Sequence, residues 1–210
     1  LSELAMSDGI ATVTVPGGLH PRYSIPYMFG ALEALLPHPK FELAQVSRFL
    51  LKLQQDASGE NPAVEIAEAA HKNLLSLYVD QGWAGVAKVW QAQFYENAKC
   101  LLEVGLFSEA NHNEILTWSN GEIPRAGLIL ETALDPERIH KRFELVKPIW
   151  REQTGTELVH QTIQSDDRLL VVWDAVYRGL WASYYLGLLR GINPAEDGLL
   201  GQLKGQLKQT

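Results

Sequence analysis

The chain has 210 residues, of which 46% are hydrophobic and 20% charged, a composition typical of one globular domain or one large lobe. Its net charge of −7 and its lack of a basic run argue against a nucleic-acid partner, and its longest apolar runs are too short to span a membrane. The single cysteine, Cys100, is compatible with a reducing cytoplasm, which is the predicted location. The chain begins at Leu1 instead of Met, which indicates a fragment.

The first quarter of the chain is predicted to contain one strand and two helices. Residues 9–15 form a short β-branched run that ends at a Pro-Gly-Gly turn, a pattern typical of a strand. Helices are predicted over 27–36, before Pro37, and over 41–55, where apolar residues recur at helical spacing. Residues 56–60 are predicted to form a loop.

The rest of the chain alternates short apolar runs with amphipathic segments. Asn61 and Pro62 are typical of an N-cap and first turn, and the helix that they start is expected to reach Ala70. Strands are predicted at 74–79, 126–130 and 157–160, and further helices at 82–99, 136–153, 166–190 and 195–206. This alternation predicts an α/β fold, a three-layer α/β/α sandwich with a mainly parallel sheet and these three strands in its centre.

Two polar clusters interrupt the apolar sequence between Trp90 and Trp118. The first contains Glu96 at or near the end of the predicted helix, and the second, Asn-His-Asn-Glu at 111–114, is predicted to form a loop or the start of the next element. A carboxylate beside apolar residues suits a general base, and the imidazole of His112 can transfer a proton near neutral pH. A helix cap followed by a histidine in a turn fits the same spacing, so both interpretations remain open.

Other kinds of site are not signalled. The glycine-rich motifs of dinucleotide and nucleoside triphosphate sites are missing, and the scattered histidines and lone Cys100 argue against zinc. Arg125 and the run from Arg138 to Arg142 fit solvated helix faces. The aromatic residues between Trp173 and Tyr185 fit a core or a dimer interface better than a cofactor site.

The sequence around the two polar clusters resembles the paired signature of bifunctional phosphoglucose/phosphomannose isomerases, members of the sugar isomerase (SIS-domain) superfamily. The matching stretches are Gln-Phe-Tyr-Glu-Asn-Ala-Lys at 93–99 and Glu-Ala-Asn-His-Asn-Glu-Ile at 109–115. Supporting similarity occurs at 15–18, 21–22, 61–63 and 185–194. The resemblance implies that residues 1–58 are the tail of a first SIS lobe with inter-lobe linker helices. Residues 59–210 would then be a second SIS lobe with C-terminal helices.

The resemblance implies isomerisation of glucose 6-phosphate and mannose 6-phosphate to fructose 6-phosphate, in glycolysis or gluconeogenesis, without a metal or cofactor. Glu96 matches the base that moves a proton between C1 and C2, and His112 matches a ring-opening residue supplied by the neighbouring subunit. Arg22 matches the arginine that stabilises the cis-enediolate, and Lys204, or alternatively Lys208, matches a lysine near the ring oxygen. The implied partners are a sugar phosphate and a second copy of the chain in a homodimer.

The chain also departs from the family pattern. Val89 replaces an arginine, Tyr95 an asparagine and Ala195 a threonine, and no Ser-Gly-Asn-Thr-type phosphate loop occurs in these residues. The family carries that loop in its first lobe, so we expect it upstream of Leu1. These departures leave two alternatives to an enzyme: a non-catalytic sugar-phosphate-binding or regulatory SIS module, and a structural dimerisation domain whose polar clusters are only caps.

Overall fold

The chain divides into two compact units, residues 1–45 and 46–210. The computed structural model describes residues 2–37, 41–54, 61–119, 123–196 and 198–208. The first unit contains α1 (Ser2–Ser7), a 3₁₀ turn (Pro21–Tyr23) and α2 (Ile25–Leu35), and α3 (Leu43–Gln54) starts near its end. α2 and α3 confirm the two helices predicted in this part of the chain.

The strand predicted over residues 9–15 is wrong. Residues 10–16 have no regular secondary structure, and Ile10 and Val13 are exposed. β-branched residues favour a strand where neighbouring strands and a buried face receive them, and this segment pairs with no strand of the described residues. The loop predicted at 56–60 lies outside the described residues.

The second unit is built on a four-stranded parallel sheet. Its strands are β1 (Leu74–Asp80), β2 (Leu102–Phe107), β3 (Arg125–Thr132) and β4 (Val159–Ile163), in the spatial order β2-β1-β3-β4. β1 and β3 confirm predicted strands, whereas β2 was not predicted from the sequence. The strand predicted at 157–160 begins two residues later and lies at an edge, so its predicted central place in the sheet is wrong.

Helices cover both faces of this sheet, as predicted for a three-layer sandwich. They are α4 (Pro62–Ala70), α5 (Ala84–Ala98), α6 (Glu137–Thr154) and α7 (Arg168–Leu189). The last helix, α8 (Gly198–Leu207), contributes no buried residue. Because neighbouring residues of a strand point to opposite faces, β1 contributes to two cores. Leu75 and Leu77 pack in the core formed with α4, α5 and α7, while Tyr78 packs in the core formed with α6.

The ends of the helices follow local sequence signals. Asn61 Oδ1 accepts a hydrogen bond from the Ala63 amide at 2.9 Å, which caps α4. α6 ends at Gly155, whose φ of +71° is a left-handed conformation that glycine adopts without strain. Asp167 Oδ1 accepts from the Leu169 amide at 2.8 Å and caps α7. None of the described helices is both long enough and apolar enough to cross a membrane.

Candidate active site

Glu96 lies in the last turn of α5, a helix that is held against α7 by buried polar contacts. Trp90 Nε1 donates to the carbonyl oxygen of Ala175 at 2.8 Å, and Asn97 Nδ2 donates to Ser183 Oγ at 2.9 Å. Trp90 and Asn97 are completely buried and lie two turns apart, so they share one face of the helix. These contacts fix the rotation of α5 and therefore the direction in which half-buried Glu96 leaves it.

Two glycines of α7 allow α5 to approach this closely. A Cβ atom at Gly179 would lie 2.6 Å from the indole ring of Trp90, and one at Gly187 would lie 2.7 Å from the carbonyl oxygen of Asn97. Both distances are too short for any larger residue. The sequence Trp-Ala-Ser-Tyr-Tyr-Leu-Gly at 181–187, which was interpreted only as aromatic, thus also contains Ser183 and Gly187, which contact Asn97 beside Glu96.

The end of α5 is tied to the turn that follows α7. Lys99 ends the helix in a left-handed conformation (φ +51°), and its Nζ donates to the carbonyl oxygens of Glu96 and, at 2.8 Å, of Glu196. The turn itself is closed by Asn193 Oδ1, which accepts from the Ala195 amide at 3.0 Å. Ala195, one of the positions that departs from the family pattern, therefore lies in the turn that contacts the carboxyl end of α5.

His112 lies in the turn after β2, with its side chain exposed. The residues on either side are anchored: Asn111 Oδ1 accepts from Arg142 at 3.0 Å, and Asn113 Nδ2 donates to Glu109 Oε1 at 2.9 Å. The His112 amide donates to the Glu109 carbonyl oxygen at 2.9 Å. The backbone of the turn is thus fixed while the imidazole is left facing solvent, as expected for the predicted loop.

Glu96 and His112 lie on either side of β2 in the chain. Glu96 precedes β2 at the amino end of the strand, whereas His112 follows it at the carboxyl end. The six residues of β2 alone span about 17 Å.

The other two predicted site residues lie on separate elements. Arg22 belongs to the first unit, where its side chain is buried and its guanidinium lies 4.7 Å from the centre of the Tyr23 ring. Lys204 lies on α8 and is exposed, as is Lys208 just beyond that helix. The roles predicted for Arg22 and Lys204 therefore stay predictions.

A charged network on the α6 side of the sheet was missed by the sequence analysis. The interpretation of Arg125 as part of a solvated helix face is wrong, since Arg125 starts β3 and its side chain is only 14% exposed. It donates to Glu103 Oε2 at 2.5 Å, and Ser76 Oγ donates to the same oxygen at 2.9 Å. The signal was the polar alternation in β1, which places Ser76 and Tyr78 on one face.

Glu114 extends this network. Tyr78 Oη lies 3.4 Å from Glu114 Oε1 and accepts from Trp118 Nε1 at 2.9 Å. Burial, and then the negative charge of Glu103, raise the pKa of Glu114 above its usual value. Burial is also the main cause that raises the pKa of Tyr78. Glu103, Glu114 and Arg125 line a cleft of about 470 Å³. Tyr95, the residue that precedes Glu96, lines the same cleft.

A second polar cluster, which the sequence analysis also missed, joins β3, β4 and α6. The nearly buried carboxylate of Glu131 contacts His140 Nδ1 with one oxygen and His160 Nε2, at 2.6 Å, with the other. The hydrogen bond to Glu131 is the main cause that raises the pKa of His140. Within the described residues, no three His, Cys, Asp or Glu side chains are placed to hold a metal ion together.

The aromatic residues of α7 occupy two environments. Trp173 is buried, whereas Tyr177, Trp181, Tyr184 and Tyr185 are half-buried. The ring of Trp181 contacts the other three, with centroid distances of 5.5 to 6.1 Å. The core interpretation therefore holds for Trp173, and the dimer-interface interpretation of the remaining four stays a prediction.

Comparison with solved structures defines the class of fold. The chain is similar to a glucose-6-phosphate isomerase-like protein from Thermus thermophilus, with a TM-score of 0.67, 22% sequence identity and coverage of 96% of this chain and 72% of that one. The C-terminal domain of glucosamine-fructose-6-phosphate aminotransferase from Francisella tularensis is also similar, with a TM-score of 0.55, 10% identity and coverage of 74% and 46%. At these identities the likeness shows the α/β/α fold alone.

Comparison of the sequence with protein families is more specific. The model of the bacterial phospho-glucose isomerase C-terminal SIS domain matches residues 59–207, so the chain belongs to this family. Bifunctional phosphoglucose/phosphomannose isomerases from Thermoplasma volcanium and Thermoplasma acidophilum are 28% and 27% identical over 95% and 99% of the chain. The chain spans 64% of the length of each of these two relatives.

Proposed function

We propose that the chain is the base-bearing part of an aldose–ketose isomerase that converts glucose 6-phosphate and mannose 6-phosphate to fructose 6-phosphate. The observation that carries the proposal is the placement of Glu96. A half-buried carboxylate lies at the end of a helix whose rotation is fixed by buried contacts to α7, which is the preorganisation that a general base needs. The family of the chain and its isomerase relatives support the same reaction.

In the proposed reaction, His112 of one subunit protonates the ring oxygen while the hydroxyl proton at C1 is lost, which gives the open aldehyde. Glu96 then removes the proton from C2, and the electron pair moves onto the carbonyl oxygen to form a cis-enediolate. Arg22 offsets the charge on that oxygen, and Lys204 lies near the ring oxygen. Transfer of the C2 hydroxyl proton to the C1 oxygen, together with return of the proton from Glu96 to C1, gives the ketose. No metal is required in this scheme, because the guanidinium is the electrophile.

The assembly we propose is a homodimer in which His112 acts at the partner's site. The placement of Glu96 before β2 and of His112 after this strand, which is about 17 Å long, fits such an arrangement. The exposure of His112 on an anchored turn also fits a residue that reaches another subunit. The single cysteine supports a cytoplasmic location for this enzyme.

The role of Glu96 is tested by Glu96→Gln in the whole protein, which keeps the shape of the side chain but removes the base. We expect kcat for glucose 6-phosphate to fall about a hundred- to ten-thousand-fold with little change in KM. Glu68→Gln, an exposed substitution on α4, is the matched control and should leave kcat unchanged. Wild-type turnover by Glu96→Gln protein contradicts the proposal.

The shared site is tested by mixing two inactive variants, Glu96→Gln and His112→Ala. In a mixed dimer one site carries both substitutions and the other carries none, so exchange of subunits should restore about a quarter of the wild-type activity. If Glu96 and His112 served the same chain, mixing would restore nothing. Binding of glucose 6-phosphate without any turnover by the wild-type protein would favour the non-catalytic sugar-phosphate-binding module.

A further inference from the structure

The first two turns of α6 carry three cations that form no ion pair with a carboxylate of the described residues. Arg138, Lys141 and Arg142 are spaced so that Arg138 faces both of the others on one side of the helix. Together with Asn111 and Leu145 they line an open cleft of about 260 Å³. No carboxylate lines this cleft, although the whole chain has a net charge of −7.

Cations in the second half of α6 do form ion pairs. Lys147 pairs with Glu144, and Arg151 pairs with Glu157. Among the described residues neither Arg138 nor Lys141 forms an ion pair, even though Glu137 and Glu144 lie on the same helix. The helix therefore neutralises the positive charges of its second half and leaves those of its first half to solvent.

This arrangement lowers the stability of the protein in the absence of a ligand. Like charges three and four residues apart on a helix repel each other and destabilise it. Arg138 is also the second residue of α6, where the partial positive charge of the helix amino end disfavours a cation. A bound anion would reverse both effects, because it would screen the like charges and interact favourably with the helix end.

The cleft also has a volume and hydrogen-bond donors that suit a phosphate group. Its volume is close to the lower end of the range for small-molecule sites, about 300 Å³. Arg142 is half-buried and held by its 3.0 Å hydrogen bond to Asn111, which leaves its other guanidinium hydrogens for a ligand. Two arginines and a lysine provide the charge-assisted donors that a phosphate group accepts.

We propose that Arg138, Lys141 and Arg142 bind the phosphate group of a small phosphorylated molecule. That this molecule is a sugar phosphate rests on the function proposed above, because Asn111, which lines the cleft, directly precedes His112. The cleft would be a second phosphate site, separate from the phosphate loop that the family carries in its first lobe.

The test measures binding, so its outcome does not depend on turnover. The melting temperature of the chain is followed while inorganic phosphate is added at constant ionic strength, with chloride as the reference anion. Saturable stabilisation by phosphate is expected, since a ligand of the native state raises the melting temperature as its concentration exceeds Kd. The variant is Arg138→Gln with Lys141→Gln, and it retains Arg142 so that the Asn111 contact is kept.

The double variant should bind phosphate at least about tenfold more weakly than the wild type, since it loses two charged donors. Without phosphate it should melt at the same temperature as the wild type or higher, because like-charge repulsion is removed. The control, Lys72→Gln with Lys88→Gln, removes two exposed charges elsewhere and should bind phosphate normally. No saturable response in the wild type, or an equal response in the double variant, overturns the proposal.

Two further ligands identify the source of the phosphate. Glucose 6-phosphate that binds more tightly than inorganic phosphate, and loses this affinity in the double variant, supports a sugar phosphate. Equal binding of inorganic phosphate and glucose 6-phosphate supports the anion site but overturns the proposal that its ligand is a sugar phosphate. Unphosphorylated glucose should not compete, and competition by glucose would overturn recognition through phosphate. Loss of isomerase activity in Glu96→Gln protein leaves all of these binding results unchanged.

Discussion

The carboxyl half of α5 and the turn between β2 and β3 carry one predicted proton-transfer residue each, but they are built in opposite ways. Around Glu96 the neighbouring side chains Trp90 and Asn97 are completely buried and bonded to α7. Around His112 the anchoring contacts of Asn111 and Asn113 lie at the surface, and the imidazole is exposed. A base that acts on a carbon-bound proton needs a fixed position, whereas a residue that serves another subunit needs exposure.

The largest contrast between the two regions is expected from truncation of one side chain in each. Trp90→Ala should lower the free energy of unfolding by about 3–5 kcal/mol, because it leaves a large cavity and removes the buried hydrogen bond to the Ala175 carbonyl oxygen. His112→Ala should change it by no more than about 0.5 kcal/mol, since the imidazole is exposed. Urea unfolding of both variants measures the difference. Comparable losses would show that the 108–113 turn carries stability of its own.

Close packing of α5 on α7 can be tested with two glycines. Gly179→Ala should destabilise the fold by about 1–3 kcal/mol, because the new methyl group would lie 2.6 Å from Trp90 and force α5 away. Gly85→Ala is the matched control: nothing lies within 4 Å of its Cβ position, and the substitution should stabilise α5 by about 0.5–1 kcal/mol. Thermal unfolding gives both values, and the same sign for both changes would contradict this account.

A smaller effect is expected at Glu114, which follows the His112 turn. Its pKa is raised in the folded state, so the folded protein retains this proton at pH values where the unfolded chain has lost it. Stability is therefore lost as the pH rises from about 4.5, the ordinary value, through the raised pKa. Glu114→Gln should melt at a higher temperature than the wild type at pH 7, and the gain should vanish below pH 4.5. A gain that persists in acid would assign the effect to packing instead.

The smallest effect is expected at His140, whose side chain is partly exposed. The hydrogen bond to Glu131 raises its pKa, so it contributes stability that is fully present below its ordinary value of 6.5 and lost as the pH rises through the raised value. His140→Gln should therefore show a flatter dependence of melting temperature on pH above 6.5 than the wild type. Identical pH profiles would mean that the contact with Glu131 adds no net stability.

The elements that sequence patterns predicted well are those whose signals are local. Asn61-Pro62 starts α4 and Gly155 ends α6 because caps act within one helical turn. The sequences of β1 and β3 are nearly continuous apolar runs, because helices bury both faces of these strands. Membership of an α/β/α sandwich followed from these elements alone.

The strands that were missed or displaced carry polar residues whose partners lie far away in sequence. β2 contains Glu103, which pairs with Arg125, and β4 contains His160, which pairs with Glu131. Neither pair can be read from spacing, because each forms only when the sheet assembles. The same holds for the site: Glu96 and His112 were predicted, but their separation by β2 was visible only once that strand was placed.

The edge position of β2 has a consequence for how the protein behaves in concentrated solution. Among the described residues, one side of this strand offers backbone N–H and C=O groups without a sheet neighbour, a template for pairing with strands of other molecules. Its sequence, Leu-Glu-Val-Gly-Leu-Phe, carries a single charge, and without Glu103 it would be a six-residue apolar segment of the kind that forms cross-β aggregates. The ion pair with Arg125 holds the charged side chain of Glu103 at this edge, and a charge at the edge strand disfavours aggregation of the folded chain.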